Sequence, residues 1–415
     1  MMIRKARRRG RLTKEYMAVI ILNGLCIILM IAALLVKSSL IAPMVSQSSA
    51  VKWGGGESYA QVSVFLEESS GLGQEDIRLL RSSIDKKLEE ASISPASEDA
   101  RLYVDCYSLI KRDLVVESER MSGRYTAFVV GGDFFTFHPL KLKSGYYFSG
   151  SDIMQDRVVL DEEAAWQLFG SYDVAGMKVR IFDQPYIVAG VIEREDDLAT
   201  NLAYSSGPAI YMSYETYVTM DEGAVITSYE ASLPNPISGF ALDILSGVIS
   251  VDEQQMEIVE NSSRYGLESM VRVLGALGER SMRTKAVFFP YWENAARLVE
   301  ERAALLTLLM FLLPVLPAVT LAVIIARLWK GRRWRARDIK DFYERKRDER
   351  WIRQRAKADA HRRAQEKKAD EDKEQTLVLP STEYQQEADE DNKNNKAPVR
   401  KKKTSWKFGR KKQKL

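Results

Sequence analysis

Residues 176–197 read GMKVRIFDQPYIVAGVIEREDD. In Lys178, Val179, Arg180 and Ile181 polar and apolar side chains alternate, which is the period of a strand with one face on a core. Asp183 and Gln184 supply the turn, and Tyr186 to Ile192 forms a buried second strand. Gly190 within it marks a bulge or a close approach of another backbone. Four acids close the stretch: Glu193, Glu195, Asp196 and Asp197. By type they suit an acid/base pair or a calcium site. They lack the spaced Asp/Asn and Gly of a calcium loop, however, and the solvated mouth of a hairpin accounts for them.

Working outward, short strands and helices alternate. Arg157 to Leu160 is a strand, and Asp161 caps a helix whose Ala165, Leu168 and Phe169 share a face before Gly170 ends it. Ala209 to Met212 is another strand. Further upstream, Gln61 to Leu66 alternates as a strand, and Ile77, Leu80, Ile84, Leu88 and Ala91 recur at helical spacing behind Gly73, Glu75 and Asp76. Ala100 to Ser108 and Asp113 to Glu119 read as paired strands, with Tyr125 to Val130 as a third. Downstream, Tyr229 to Leu233, a helical Ile237 to Ile249, and Glu257 to Glu260 read as a returning strand, helix and strand. Ser46 to Ser58 is a soft Ser/Gly stretch. Two small α+β halves flanking a β-rich insertion are therefore expected.

This domain lies between two apolar runs. Met17 to Val36 and Ala303 to Ala326 carry no charge, and about 20 apolar residues at helical rise cross a bilayer core. The first run exceeds the usual apolar length of a cleaved signal, and no clear small-x-small site follows it, so an uncleaved span is expected. The formal charge is +6 over residues 1–16, −16 over 37–302 and +14 over 327–415, out of +4 for the 415 residues. Basic residues flank the outer ends of both runs, from Arg4 to Lys14 and from Arg327 to Arg337, so both termini are expected in the cytoplasm and residues 37–302 outside it. Cys26 and Cys106 then lie in different compartments and cannot pair.

The expected organisation is a basic N-terminus (1–16), a first transmembrane helix (17–36), an extracytoplasmic domain (37–288), a stalk helix (289–302), a second transmembrane helix (303–326), a charged cytoplasmic helix (327–375) and a disordered tail with a polybasic end (376–415). In the stalk, Trp292, Ala295, Ala296, Val299 and Ala303 share one face behind Pro290, with Glu293, Arg297, Glu300 and Glu301 on the surface. Pro314 and Pro317 are expected to kink the second span.

The order of motifs resembles a known family. Val130-Gly131-Gly132-Asp133-Phe134-Phe135, Leu140 to Gly145, Arg157 to Glu162, Leu168-Phe169-Gly170, Val174-Ala175-Gly176 and Tyr186 to Ile192 are similar to the MacB-like periplasmic core domain of ABC transporter permeases of the MacB/FtsX type. The resemblance implies a porter-like α+β portion with a β-rich insertion. It also implies a permease-like role beside an ABC ATPase. Two spans are found here against four in such permeases, and no Gly-x-x-x-x-Gly-Lys-Ser/Thr occurs. The implied protein is an accessory or half-permease of an export system, with ATPase and permease subunits supplied by other chains.

Enzymatic constellations are missing. His138 is the one histidine expected outside, which excludes most zinc sites and a His-based triad there, and Cys106 has no second thiol. No serine sits in a Gly-x-Ser-x-Gly elbow. No catalytic, metal or cofactor site is expected. The remaining candidates are a transmission set, Pro290, Trp292, Ala296, Val299, Pro314 and Pro317, and a membrane-surface set, Arg400, Lys401, Lys402, Lys403, Trp406, Lys407, Arg410, Lys411 and Lys412. Basic residues around aromatics suit anionic lipid or nucleic acid, and tethering beside a membrane favours lipid; a solubilising tail is the plain alternative. A cell-envelope scaffold or sensor is the alternative to the permease-like reading.

Overall fold

The computed structural model describes residues 14–55, 58–95, 97, 100–203, 207–280, 287–331 and 336–375. It divides into Met1–Arg327 and Leu328–Leu415. In the first unit, helix α1 (Lys14–Ile41) leads into a short α2 (Ser49–Gly54), strand β1 (Tyr59–Leu66) and α3 (Gln74–Glu90). Then come β2 (Val104–Glu117), β3 (Ser122–Gly132), α4 (Phe134–Phe137), β4 (Leu142–Gly145), β5 (Arg157–Asp161) and α5 (Glu162–Phe169). They are followed by β6 (Lys178–Ile181), β7 (Gln184–Ile192), α6 (Leu198–Ala203), β8 (Ala209–Ser213) and α7 (Tyr214–Tyr217). The domain ends with β9 (Ser228–Pro234), α8 (Phe240–Val248), β10 (Met256–Glu260) and α9 (Leu267–Arg280), before α10 (Tyr291–Leu312) and α11 (Val315–Gly331).

The strands hydrogen-bond in the order β10-β1-β9-β2-β3-β8-β5-β7-β4, with β6 beside β2 and β7. The porter-like and inserted portions thus share one hydrogen-bonded path through the long β2–β3 ladder. Most pairs are antiparallel; β3 with β8 and β5 with β7 are parallel. Helices α3 and α8 cover one part of the sheet through Ile77, Ile84, Leu88, Ala241 and Leu245, and α5 covers another through Ala164, Ala165 and Leu168, all within one large apolar cluster.

Local chemistry explains the details. Asp161 caps α5 by accepting from Ala164 N at 2.7 Å, and Gly170 ends the helix in the left-handed region. The β6–β7 turn falls one residue earlier than the polarity of Asp183-Gln184 suggests. Phe182 and Asp183 are its centre, both at positive φ (49° and 64°), as a two-residue hairpin matching the strand twist requires. Gly145 and Gly190 face each other: a Cβ on Gly190 would lie 2.7 Å from Tyr146 O, so only glycine admits this approach. The predicted strand pair Ala100–Ser108 and Asp113–Glu119 is in fact one bent strand, β2. A register shift between Lys111 and Leu114, with Asp113 at φ 57°, interrupts its apolar period without ending its pairing to β3. The soft stretch before β1 is likewise packed, with Ser49, Ala50 and Gly54 buried.

Two helical segments are long and apolar enough to cross a membrane, Tyr16–Ile41 and Tyr291–Lys330. They flank the α+β domain. Leu313 and Pro314 interrupt the second, between α10 and α11.

The second unit contains α12 (Ala336–Gln375), a helix rich in charge. Lys340 pairs with Glu344 at 3.9 Å and Arg362 with Glu366 at 3.2 Å, at the i,i+4 spacing that supports exposed helices. The polybasic segment lies outside the described residues.

Candidate functional site

Helix α10 begins inside the domain and runs on into the second apolar segment. Pro290 stands at its N-cap in an extended conformation, where a missing N–H costs nothing. Along it, Trp292, Glu293, Ala295, Ala296, Val299, Glu300, Ala303, Ala304 and Thr307 are buried, at three- and four-residue spacing. Trp292 packs with Phe128 and Phe134; Ala296 and Val299 pack with Met44, just beyond α1.

The sequence pattern assigns Glu293 and Glu300 to the surface of a stalk. The structure corrects this: they are 1% and 6% exposed. Both face Arg264, itself 2% exposed, in the loop after β10. The guanidinium donates to both oxygens of Glu293 at 2.7 Å, from two different nitrogens, and to Glu300 Oε2 at 3.4 Å. It also donates to Gln47 Oε1 at 3.1 Å and Asn261 Oδ1 at 3.2 Å. Burial works against the Arg264 charge, but Glu293 and Glu300 outweigh it and raise its pKa further. Arg297 adds a bond to Glu293 Oε1 at 2.8 Å, reaches Glu257, and lies 3.8 Å over the Phe289 ring.

The hydrogen bonds continue through the sheet. Asn261 Nδ2 donates to Ser63 Oγ at 2.7 Å, and Ser63 Oγ donates to Glu230 Oε2 at 2.8 Å. Gln61 Nε2 reaches the same oxygen at 3.3 Å. Glu230 Oε1 accepts from Trp292 Nε1 at 3.2 Å and pairs with His138 Nε2 at 2.9 Å. On the other side Gln61 Oε1 accepts from Ser49 N and Oγ, at 3.0 and 2.7 Å. A single buried network therefore ties the segment after α1 (Gln47, Ser49), the sheet (Gln61, Ser63, Glu230) and the start of α10 (Trp292, Glu293, Glu300). Burial resists ionisation of Glu230, but His138, Ser63 and Gln61 hold its carboxyl below the usual carboxylate range.

Cys106 joins this cluster. Its thiol, a His138 nitrogen and a Glu230 oxygen lie within 4.8 Å of one another, a donor set of the kind zinc accepts. The arrangement fits a hydrogen-bonded pair better. Four donors already occupy Glu230, and burial together with the charges of Glu230 and Asp105 pushes the Cys106 thiol well up. His138 sits between the rings of Phe134 and Trp292, at 4.5 and 4.3 Å.

The acids of residues 193–197 divide. Glu193 pairs with Lys141 at 2.6 Å, and Asp197 caps α6 through Ala199 N and Thr200 N. Asp196 is exposed. Glu195 departs from the solvated reading: it is half-buried, and burial raises its pKa against a hydrogen bond with Tyr291.

Of the sequence candidates, the structure brings Pro290, Trp292, Ala296 and Val299 onto the buried stretch of α10, and Ala296 and Val299 are fully buried. Pro314 lies in the break before α11 and Pro317 within it. Arg400 to Lys412 fall outside the described residues. Sequence reasoning missed Arg264, Glu230, Gln61 and Asn261, for which no local pattern exists. Glu293 and Glu300 did carry a signal: they are seven residues apart and interleave with Ala296 and Ala303.

An open cleft of about 850 Å³ lies elsewhere, beside α3, lined by Arg81, Asp85, Tyr103, Asp133 and Glu215 among others. Arg81 holds Asp105 through two bonds of 2.7 and 3.0 Å, leaving the rim acidic.

The periplasmic region of MacB from Actinobacillus actinomycetemcomitans is 18% identical, over 51% of this chain and 92% of that one, with a TM-score of 0.35. The extracellular domain of the noncanonic ABC-type transporter YknZ from Gram-positive bacteria is 13% identical, over 48% of this chain and 99% of that one, with a TM-score of 0.32. No curated protein matches the chain. The profile of the MacB-like periplasmic core domain matches residues 20–242. With more than half of its length matched, and with an α+β domain held between two membrane-crossing helices, the chain belongs to the MacB-like periplasmic core domain family.

Proposed function

We propose that the chain is a non-enzymatic accessory or half-permease of an ABC-type export system. Its extracytoplasmic domain captures a partner and passes the displacement along α10 to the membrane. One observation carries this reading: α10 is rooted in the sheet by Trp292, Glu293 and Glu300, and continues without a glycine to the break at Leu313 and Pro314. A helix so anchored moves with the domain, because displacing it would leave charges buried without partners. Pro290, Trp292, Ala296 and Val299 form the anchored part, and Pro314 and Pro317 the point where the span can change direction. The acidic cleft beside α3 is a surface for partner capture.

The deciding experiment is affinity capture of the full chain from membranes in mild detergent. An ABC ATPase and a permease in the eluate support the proposal. A set of cell-envelope proteins without an ATPase overturns it in favour of a scaffold or sensor. The polybasic segment around Trp406 would in either case contact anionic lipid at the cytoplasmic surface, at about 1 kcal/mol per basic residue.

A further inference from the structure

Between β10 and α10 the sequence pattern names no element, yet α9 occupies Leu267–Arg280. At about 100° per residue its side chains form three strips. Met270 and Val273 are buried against Ala303 and Ala304 of α10, with Leu277, Tyr265 and Ile41 packed alongside. Glu268 and Arg272 lie on another side, exposed, at 3.4 Å from each other. Leu267 and Val271 form the third strip, next to the half-buried Leu274, and are 56% and 57% exposed. An apolar arc therefore runs beyond the part that the other helices cover.

Its height on the molecule is fixed by charge. Ala303 and Ala304 are the first residues after Arg302, where the charge-free run of α10 begins. One turn further, Thr307 Oγ1 accepts from Lys37 Nζ at 2.9 Å, and Lys37 is the first charge after the run of α1. The charge-free runs of both helices thus end at the same level, and α9 packs against the turn at that level. Of the surfaces available there, the bilayer is continuous with the helices α9 rests on.

We infer that α9 is an interfacial helix, lying in the headgroup region on the domain's side of the membrane with Leu267 and Val271 among the acyl chains. Its Glu268 and Arg272 face water and headgroups. Such a helix seats the domain on the lipid surface and buttresses α10 where it enters the bilayer.

The test uses the full chain in nanodiscs of phosphatidylcholine and phosphatidylglycerol, carrying Cys26→Ser, with Cys106 shielded by burial. Nitroxide labels are placed singly through Leu267→Cys, Val271→Cys, Glu268→Cys and Ile153→Cys, the last at a 99% exposed position of the domain. Collision rates with molecular oxygen and with a water-soluble nickel chelate are read by power saturation. At 267 and 271 the oxygen-to-nickel ratio is expected to exceed that at 153 by about fivefold or more, as for side chains at the acyl boundary, with 268 close to 153. Nickel access at 267 and 271 equal to that at 153 would overturn the inference. Low access to both reagents would overturn it too, because a protein surface would then cover the strip.

Discussion

Arg264 carries more of the domain's electrostatics than any pattern around it suggests. It stands opposite two buried carboxylates, and a buried pair costs far more to break than it contributes when intact. Arg264→Met is therefore expected to destabilise the domain by about 3–5 kcal/mol, read from denaturant unfolding of the purified chain. Replacing Glu293 and Glu300 with Gln in the same background should recover a large part of the loss. Asp161 gives a second residue-scale outcome. It is 4% exposed, and burial pushes its carboxyl from 3.8 up to about 6, against hydrogen bonds from Ala164 N and Ala209 N and the charge of Arg194. The folded state therefore holds a proton that the unfolded state releases between pH 3.8 and about 6. Its contribution to stability is present below that window and declines as pH rises through it. Asp161→Asn should flatten this part of the stability profile, whatever it does to the absolute stability. For the Cys106, His138 and Glu230 cluster, exhaustive treatment with a chelator is expected to leave the melting temperature unchanged, and a fall of several degrees would show a bound ion.

At the scale of elements, α10 is both a piece of the domain's core and the start of a membrane helix. The two roles separate by position. A Gly-Gly insertion after Arg297 would turn Val299, Glu300, Ala303 and Thr307 by about 200° relative to Trp292 and Glu293. Glu300 would leave Arg264, so the domain is expected to lose at least about 3 kcal/mol and the chain to accumulate poorly. The same insertion after Leu312 lies beyond every buried residue of α10. It should leave the melting temperature of the domain unchanged while loosening its link to the second half of the span. Equal melting temperatures for both insertions would mean that the contacts below Arg297 contribute nothing to the fold. The bend in β2 shows the same economy at smaller scale: one extra residue near Asp113 redirects the strand while β3 stays paired to it on both sides of the shift.

For the whole molecule, topology is the property to measure. From the charge bias we propose that residues 37–302 lie outside and both termini in the cytoplasm. Ser151, exposed on the domain, should react after Ser151→Cys with a membrane-impermeant thiol reagent on intact cells. Ser405→Cys should remain unlabelled until the membrane is opened. Labelling of both positions on intact cells would break the orientation.

What the sequence determined by itself follows from local rules. Charge-free runs of bilayer length, Asp161 before a helix and Gly170 after it, and the alternation of Lys178 to Ile181 depend only on neighbours in the chain. They sufficed for the α+β class, the two apolar helices and the family. Tertiary structure alone decided the rest. Glu293 looked exposed because a carboxylate on a helix usually is, and it is buried because Arg264, 29 residues away in sequence, meets it. Glu230, Ser63, Asn261 and Gln61 converge only once β1 pairs with β9 and β10. For helix α9, whose Leu267, Met270, Val271, Leu274 and Leu277 recur at helical spacing, tertiary structure decided only which part of the apolar arc α10 covers. A buried polar network leaves no periodic trace, since each member is satisfied by partners that the chain brings together only when it folds.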